Sequence, residues 1–146
     1  MEGNTIGSHT YKHPNLNTLS FDQAIAEITR GEAAVTKATG TDVNFFRFPY
    51  LADSRKLRGA VAAREMIVMD VDVDTKDYFT STPEQVADRA MNRLRQRGRG
   101  IILMHDIHKR TAAMLPALLA RLEAEGYKVV TLKYKKDSRA VEMASL

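Results

Sequence analysis

The sequence predicts a parallel α/β fold, and three observations carry that prediction. Short apolar runs of strand length alternate with longer stretches of helical period. The run over residues 100–104 is purely apolar after its glycine, and that over 66–73 is broken only by Asp70 and Asp72, which suits strands covered on both faces. The polar residues of chemical interest, His9, Arg47, Asp74, Asp77, His105 and Asp106, fall at or just past the ends of such runs. Parallel α/β folds place their sites there.

The elements follow in order. Residues 5–9 read as a short strand end that delivers His9 into a loop, and Pro14-Asn15-Leu16-Asn17 is loop chemistry. Ser20 with Gln23 makes a capping box, opening a helix that keeps its apolar period through Phe21, Ala24, Ile25, Ile28 and Val35 to about Thr39, with Gly40 as the stop. Gly31 lies off that stripe and should cost only its propensity penalty. Residues 43–48 predict a strand ending at Pro49. Ser54 then caps a helix carrying Leu57, Ala60, Val61 and Arg64. Residues 66–73 predict one strand, followed by Asp74-Thr75-Lys76-Asp77-Tyr78. Thr82 with Gln85 makes a second capping box, Pro83 takes the first helical position, and Gly98 ends that helix. Residues 100–104 predict a strand that presents His105 and Asp106. The next helix has its regular part starting near Leu115, because of Pro116, and stops at Gly126. Residues 127–132 predict a last strand. The chain thus divides into one domain, residues 1–133, and a polar tail, 134–146, expected to fray. Five strands cannot close an eight-stranded barrel, so the sheet is open or incomplete.

Composition narrows the function classes. The 146 residues suit one ordinary domain, and the net charge is a modest +4. The absence of cysteine excludes disulfides and thiolate metal sites. Arg89, Arg93, Arg95, Arg97 and Arg99 form the densest basic run, but no aromatic residues interleave with them, so nucleic acid is not the expected partner. No apolar stretch approaches the ~20 residues of a membrane span, and Met1-Glu2-Gly3-Asn4 does not read as a signal peptide.

Candidate chemistry begins at His9 and His13. Neutral imidazole is the commonest metal ligand, and a spacing of four places both rings on one side of a turn. Two exposed or hydrogen-bonded histidines would satisfy the same spacing. Arg47 could be a surface cation, Asp74 and Asp77 loop or cap residues, His105 a buried satisfied histidine, and Asp106 and His108 ordinary loop residues. Their shared placement past strand ends favours a site over five separate coincidences.

Four segments in order, Gly7-Ser8-His9-Thr10-Tyr11-Lys12-His13-Pro14-Asn15-Leu16, Arg47-Phe48-Pro49-Tyr50, Asp74-Thr75-Lys76-Asp77-Tyr78 and Ile102-Leu103-Met104-His105-Asp106, resemble the polysaccharide deacetylase family, also called the NodB-homology domain or carbohydrate esterase family four. Gly126-Tyr127-Lys128-Val129-Val130-Thr131-Leu132 looks like the family's closing segment, so the resemblance covers nearly the whole chain. It implies a partial, distorted (β/α) barrel and a metal-dependent hydrolase that removes N-acetyl, or in some members O-acetyl, groups from a carbohydrate polymer. By motif match, His9 and His13 would be metal ligands, with Thr10 steadying their loop. The metal would be zinc, with cobalt as the alternative. The Tyr50 backbone N–H would face the oxyanion, His105 would be the general acid, Asp77 would orient it, and Leu103 would line the acetyl pocket. Tyr78 stands where the family usually has Trp.

The departure from the family is at the start. Nothing here matches its Thr-Phe-Asp-Asp-Gly motif, which supplies the catalytic base and a third metal ligand. The resemblance therefore predicts an N-terminally truncated domain in which Arg47 has lost the base it would pair with. Asp70, Asp72 and Asp106 are nearby carboxylates, but no motif moves those roles to them. Three expectations follow: a piece of an active enzyme, a remnant that binds metal or glycan without turnover, or a chain completed by a second copy. The sequence also leads us to expect weak metal binding, an acetylated glycan as partner and a homo-oligomer. Family members often act outside the cytoplasm, but the sequence assigns no compartment.

Overall fold

The computed structural model describes residues 3–136 and divides into two compact units. One runs to Met69 and takes up the chain again from Thr131; the other is Asp70–Val130.

In the first unit, α1 (Phe21–Thr39) starts at the predicted capping box, with Ser20 Oγ accepting from the Gln23 N–H, and ends at Gly40 with φ 71°. Strand β1 (Phe45–Phe46) pairs in parallel with β2 (Ile67–Val68), Phe45 opposite Ile67 and Phe46 opposite Val68. On the other side of β1, Ser8 makes a single parallel bridge to Phe46: its N–H donates to the Phe45 carbonyl (2.8 Å) and its carbonyl accepts from the Arg47 N–H (3.1 Å). The predicted first strand is reduced to this one bridge. Helix α2 (Arg55–Ala63) is capped by Ser54 as the sequence predicts. The core gathers Leu16, Ala24, Ile28, Phe46, Phe48, Leu57, Val61 and Met66, with the Phe46 and Phe48 rings edge to face. Phe21, expected on the buried stripe, is instead exposed, with the Lys56 ammonium over its ring.

In the second unit, β3 (Val73–Asp74) and β4 (Ile102–Leu103) pair in parallel, Val73 opposite Ile102. Helix α3 (Pro83–Arg97) starts at the predicted Thr82 capping box and stops at Gly98, φ 78°. It packs on α4 (Lys109–Ala124) through Val86, Ala90, Met91 and Leu94 against Met114, Leu118 and Leu122.

Three predicted elements differ. The single strand over 66–73 is two, β2 and β3, with the boundary between the units falling after Met69. The acidic residues explain the break: the Asp72 carboxylate accepts from the Ile101 N–H and the Arg97 guanidinium (both 2.8 Å) instead of projecting from a continuous ladder. Helix α4 begins at Lys109, not near Leu115, and holds Pro116 in its interior. Its first turns are anchored by buried Thr111 and Met114, so tertiary packing outweighs the cost of an interior proline. Residues 127–132 form no strand among the described residues, and Val129 and Val130 are largely exposed. β-propensity alone makes no ladder without a neighbour. Of the predicted tail, residues 137–146 lie outside the described residues. Ahead of them, Tyr134 meets Phe45 edge to face and the Lys136 ammonium pairs with Glu65. No helix among the described residues is long and apolar enough to cross a membrane.

Candidate functional site

The predicted site residues form two groups, one in each unit. In the first, the Ser8–Phe46 bridge leads directly into His9, and the end of β1 leads into Arg47 and Tyr50. His9 is half-buried and His13 exposed. His9 Nδ1 lies 2.6 Å from the Arg47 carbonyl, which can only accept, so Nδ1 carries the proton and the lone pair is on Nε2. That Nε2 lies 3.1 Å from His13 Nε2. With Zn–N bonds of about 2.0–2.1 Å, nitrogens 3.1 Å apart subtend about 98° at a shared ion, between octahedral and tetrahedral values. That spacing is compatible with two adjacent corners of a metal polyhedron, and the Arg47 carbonyl fixes the orientation of the His9 ring. Among the described residues, no group of three His, Cys, Asp or Glu side chains is placed to hold a metal.

The loop bearing these histidines is bent. Thr10 and His13 have φ of 66° and 58°, and Thr10 Oγ1 accepts from the His13 N–H at 3.1 Å. Tyr50, φ 58°, packs its ring edge to face on His13 with centroids 4.8 Å apart. The Leu51 and Ala52 amides are committed to the Phe48 and Pro49 carbonyls. The Tyr50 amide, second in this turn (Pro49–Leu51), has no acceptor inside it. Arg47 is half-buried, and that desolvation lowers its pKa. Among the described residues no hydrogen bond or ion pair engages its guanidinium.

In the second unit, the turn after β3 carries Asp77 and Tyr78, and the end of β4 carries His105. Asp77 is fully buried. Its Oδ1 accepts from His105 Nδ1 (2.7 Å), and its Oδ2 accepts from the His105 N–H (2.6 Å) and from Thr111 Oγ1 (2.7 Å). Arg110 Nε donates to the Asp77 carbonyl at 2.7 Å. Burial pushes the Asp77 carboxyl up. The bonds from the His105 ring, Thr111 and the His105 amide, with the His105 charge, outweigh it and leave the pKa below its ordinary value. Asp77 is thus an ionised acceptor, and His105 points Nε2 away from it on a ring that keeps part of its surface open. Tyr78 meets His105 edge to face and donates its hydroxyl to Asp74 (3.0 Å). Its pKa is raised by desolvation first, then by that bond and the charges of Asp74 and Asp77. Leu103 is buried in β4, its carbonyl accepting from Thr75 Oγ1 at 2.8 Å. Asp106 is exposed, and the His108 ring stands 6.1 Å from that of His105.

Sequence reasoning missed Thr111, Arg110 and Arg89. Thr111 and Arg110 lie in the first turn of α4, within a segment read as irregular. Arg89 ties the Asp77 turn to α3 through the Thr75 carbonyl and Ser81 Oγ, both 2.8 Å. No spacing marks these residues, because each partner is at least eight positions away in the chain.

Known proteins resemble this chain over most of its length. Residues 1–68 match the family model described as polysaccharide deacetylase. A chitin deacetylase of Colletotrichum lindemuthianum is 33% identical over 138 residues, covering 90% of this chain and 56% of that protein. The solved structure of peptidoglycan deacetylase PdaC from Bacillus subtilis superposes with a TM-score of 0.79 at 30% identity, covering 99% of this chain and 69% of that one. A CE4 family pseudoenzyme from Bacillus anthracis superposes with a TM-score of 0.80 at 27% identity, covering 86% of this chain and 44% of that one. The chain spans about half the length of the chitin deacetylase and 27% of the full PdaC protein. The family-model match and the 30% identity to PdaC over 69% of its structure, together with the strand–helix units of the deacetylase (β/α) barrel, show that the chain belongs to the polysaccharide deacetylase family.

Proposed function

We propose that this chain serves a metal-dependent carbohydrate deacetylase that hydrolyses N-acetyl groups on an amino-sugar polymer, with O-acetyl esters as the alternative substrate. The observation that carries the reading is the fully buried Asp77 carboxylate holding His105 at both its ring and its amide. A carboxylate bonded to Nδ1 keeps the imidazole in one tautomer and orientation and stabilises its protonated form. Water adds its oxygen to the acetyl carbonyl carbon, its proton going to the base that the family's Asp-Asp motif supplies; as the amide C–N bond then breaks, the proton on His105 Nε2 passes to the leaving amine nitrogen and the acyl group departs as acetate. By match to the family's motif, the Tyr50 backbone N–H would face the acetyl carbonyl oxygen as negative charge develops there. Leu103 and the Tyr78 ring supply apolar surface for the acetyl group. His9 and His13 would hold a divalent cation, which supplies Lewis-acid polarisation of the acetyl carbonyl when bound. The substrate class is supported by the names of the relatives, chitin deacetylase and peptidoglycan deacetylase.

A second reading, binding of metal or glycan without turnover, is favoured by the likeness to the CE4 pseudoenzyme. Acetate release from chitooligosaccharide or acetylated peptidoglycan fragments, with zinc or cobalt in excess, separates the two. We expect the 146 residues alone to work near background, because no residue here matches the family's base. With a segment bearing the Asp-Asp motif supplied ahead of them, release should appear. Glycan retention without acetate in either form would support the binder instead.

We also expect a homo-oligomer. Each unit's two-stranded ladder has an open edge among the described residues. Tyr50, Phe79 and Ile107 are well exposed, and burying apolar area gains roughly 25 cal/mol per Å². Light scattering that gives a monomer mass at every concentration would refute this.

A further inference from the structure

One face of α1 meets the histidine loop residue by residue. Glu27, Arg30 and Gly31 stand at positions i, i+3 and i+4 of that helix, so they share a face. Glu27 Oε2 accepts from the Lys12 N–H at 2.8 Å. The Arg30 guanidinium lies 4.2 Å from the centre of the Tyr11 ring. Gly31 is buried, and a Cβ there would come within 2.5 Å of the Thr10 carbonyl carbon and 2.7 Å of its oxygen. Gly31 is therefore not a neutral interruption of a helical stripe: its missing side chain is the space the loop backbone fills.

The loop needs such support. A β-branched residue such as Thr10 seldom adopts φ near 66°, and His13 is left-handed as well. Conformations of this kind persist only where surrounding contacts over-determine them. The contacts to Thr10, Tyr11 and Lys12 come from α1, and these three residues lie between His9 and His13.

We propose that Glu27, Arg30 and Gly31 are positioning residues that pre-set the two imidazoles for a divalent cation. This rests on the reading of His9 and His13 as metal ligands. The test titrates zinc into the whole chain, well below its melting temperature, and follows the histidine ring protons by NMR. Thermal unfolding of the same samples confirms that each variant is folded. The His9→Ala, His13→Ala double variant should lose binding. Glu27→Ala and Gly31→Ala should each weaken zinc binding by roughly tenfold to a hundredfold, the usual effect of losing an outer-shell support. Glu27→Gln keeps an acceptor oxygen for the Lys12 N–H and should bind close to the parent, a rescue that a general loss of stability would not give. It also keeps the test open if Gly31→Ala does not fold. If the double variant binds zinc as well as the parent, the metal reading falls and this inference falls with it. If the histidines are required but Glu27→Ala and a folded Gly31→Ala bind like the parent, the positioning inference alone is overturned.

Discussion

Replacing His105 with alanine is expected to remove about 10²–10⁴-fold of deacetylase turnover, the usual contribution of a positioned proton donor. The measurement is acetate release by the chain supplied with the family's Asp-Asp segment, comparing His105→Ala with the parent. The loss should appear in kcat with KM little changed, because the imidazole acts on the leaving nitrogen as the bond breaks. Asp77→Asn separates holding from charge. An amide oxygen can still accept from Nδ1, but the negative charge that stabilises the protonated ring is gone, so turnover should fall while the variant remains folded. A silent His105→Ala would remove the acid from the mechanism and leave the buried Asp77–His105 pair a structural feature.

Asp77→Ala is expected to have the largest effect on stability, about 2–5 kcal/mol, since each buried donor left unpaired costs about 1–3 kcal/mol. The carboxylate is fully buried and accepts three hydrogen bonds. Its loss strands the Thr111 hydroxyl and the His105 amide, each of which costs free energy when left unpaired away from water. Chemical denaturation reads the effect directly. The sign with pH follows from the folded-state pKa lying below the ordinary carboxylate value. The contribution is complete above about pH 4 and disappears as pH falls through the lowered value, because the unfolded chain takes up the proton first. The parent should therefore lose stability on acidification below about pH 4, and Asp77→Ala should lose less over the same range. Equal denaturation midpoints at neutral pH for the parent and Asp77→Ala would contradict this.

Much of the helical framework was legible because its causes are local. The Ser20 and Thr82 capping boxes, Pro83 at the first helical position and the glycine stops at Gly40 and Gly98 all act within a turn of the residues they name. The family motifs were legible for the same reason. His9 and His13 lie four apart, and one bent loop brings their Nε2 atoms to 3.1 Å. The strands were less legible. An apolar run says that a segment will be covered, but its ladder length depends on a partner elsewhere in the chain. Residues 66–73 became two strands where the Asp72 carboxylate found Arg97 and the Ile101 amide, and residues 127–132 found no strand partner among the described residues.

By itself, then, the sequence determined the parallel α/β class, the capped starts and glycine stops of α1 and α3, and the segments that carry the family motifs, since propensity, capping and motif spacing operate over a few residues. Tertiary structure alone decided that α4 begins six residues ahead of its predicted start near Leu115, at Lys109, that Thr111 and Arg110 complete the Asp77 site, and that Gly31 is the space into which the histidine loop packs. These depend on contacts 21 to 34 positions apart in the chain. Close packing selects them only once separate segments share one interior, where a single added methyl group or a lost hydrogen bond can no longer be absorbed by solvent.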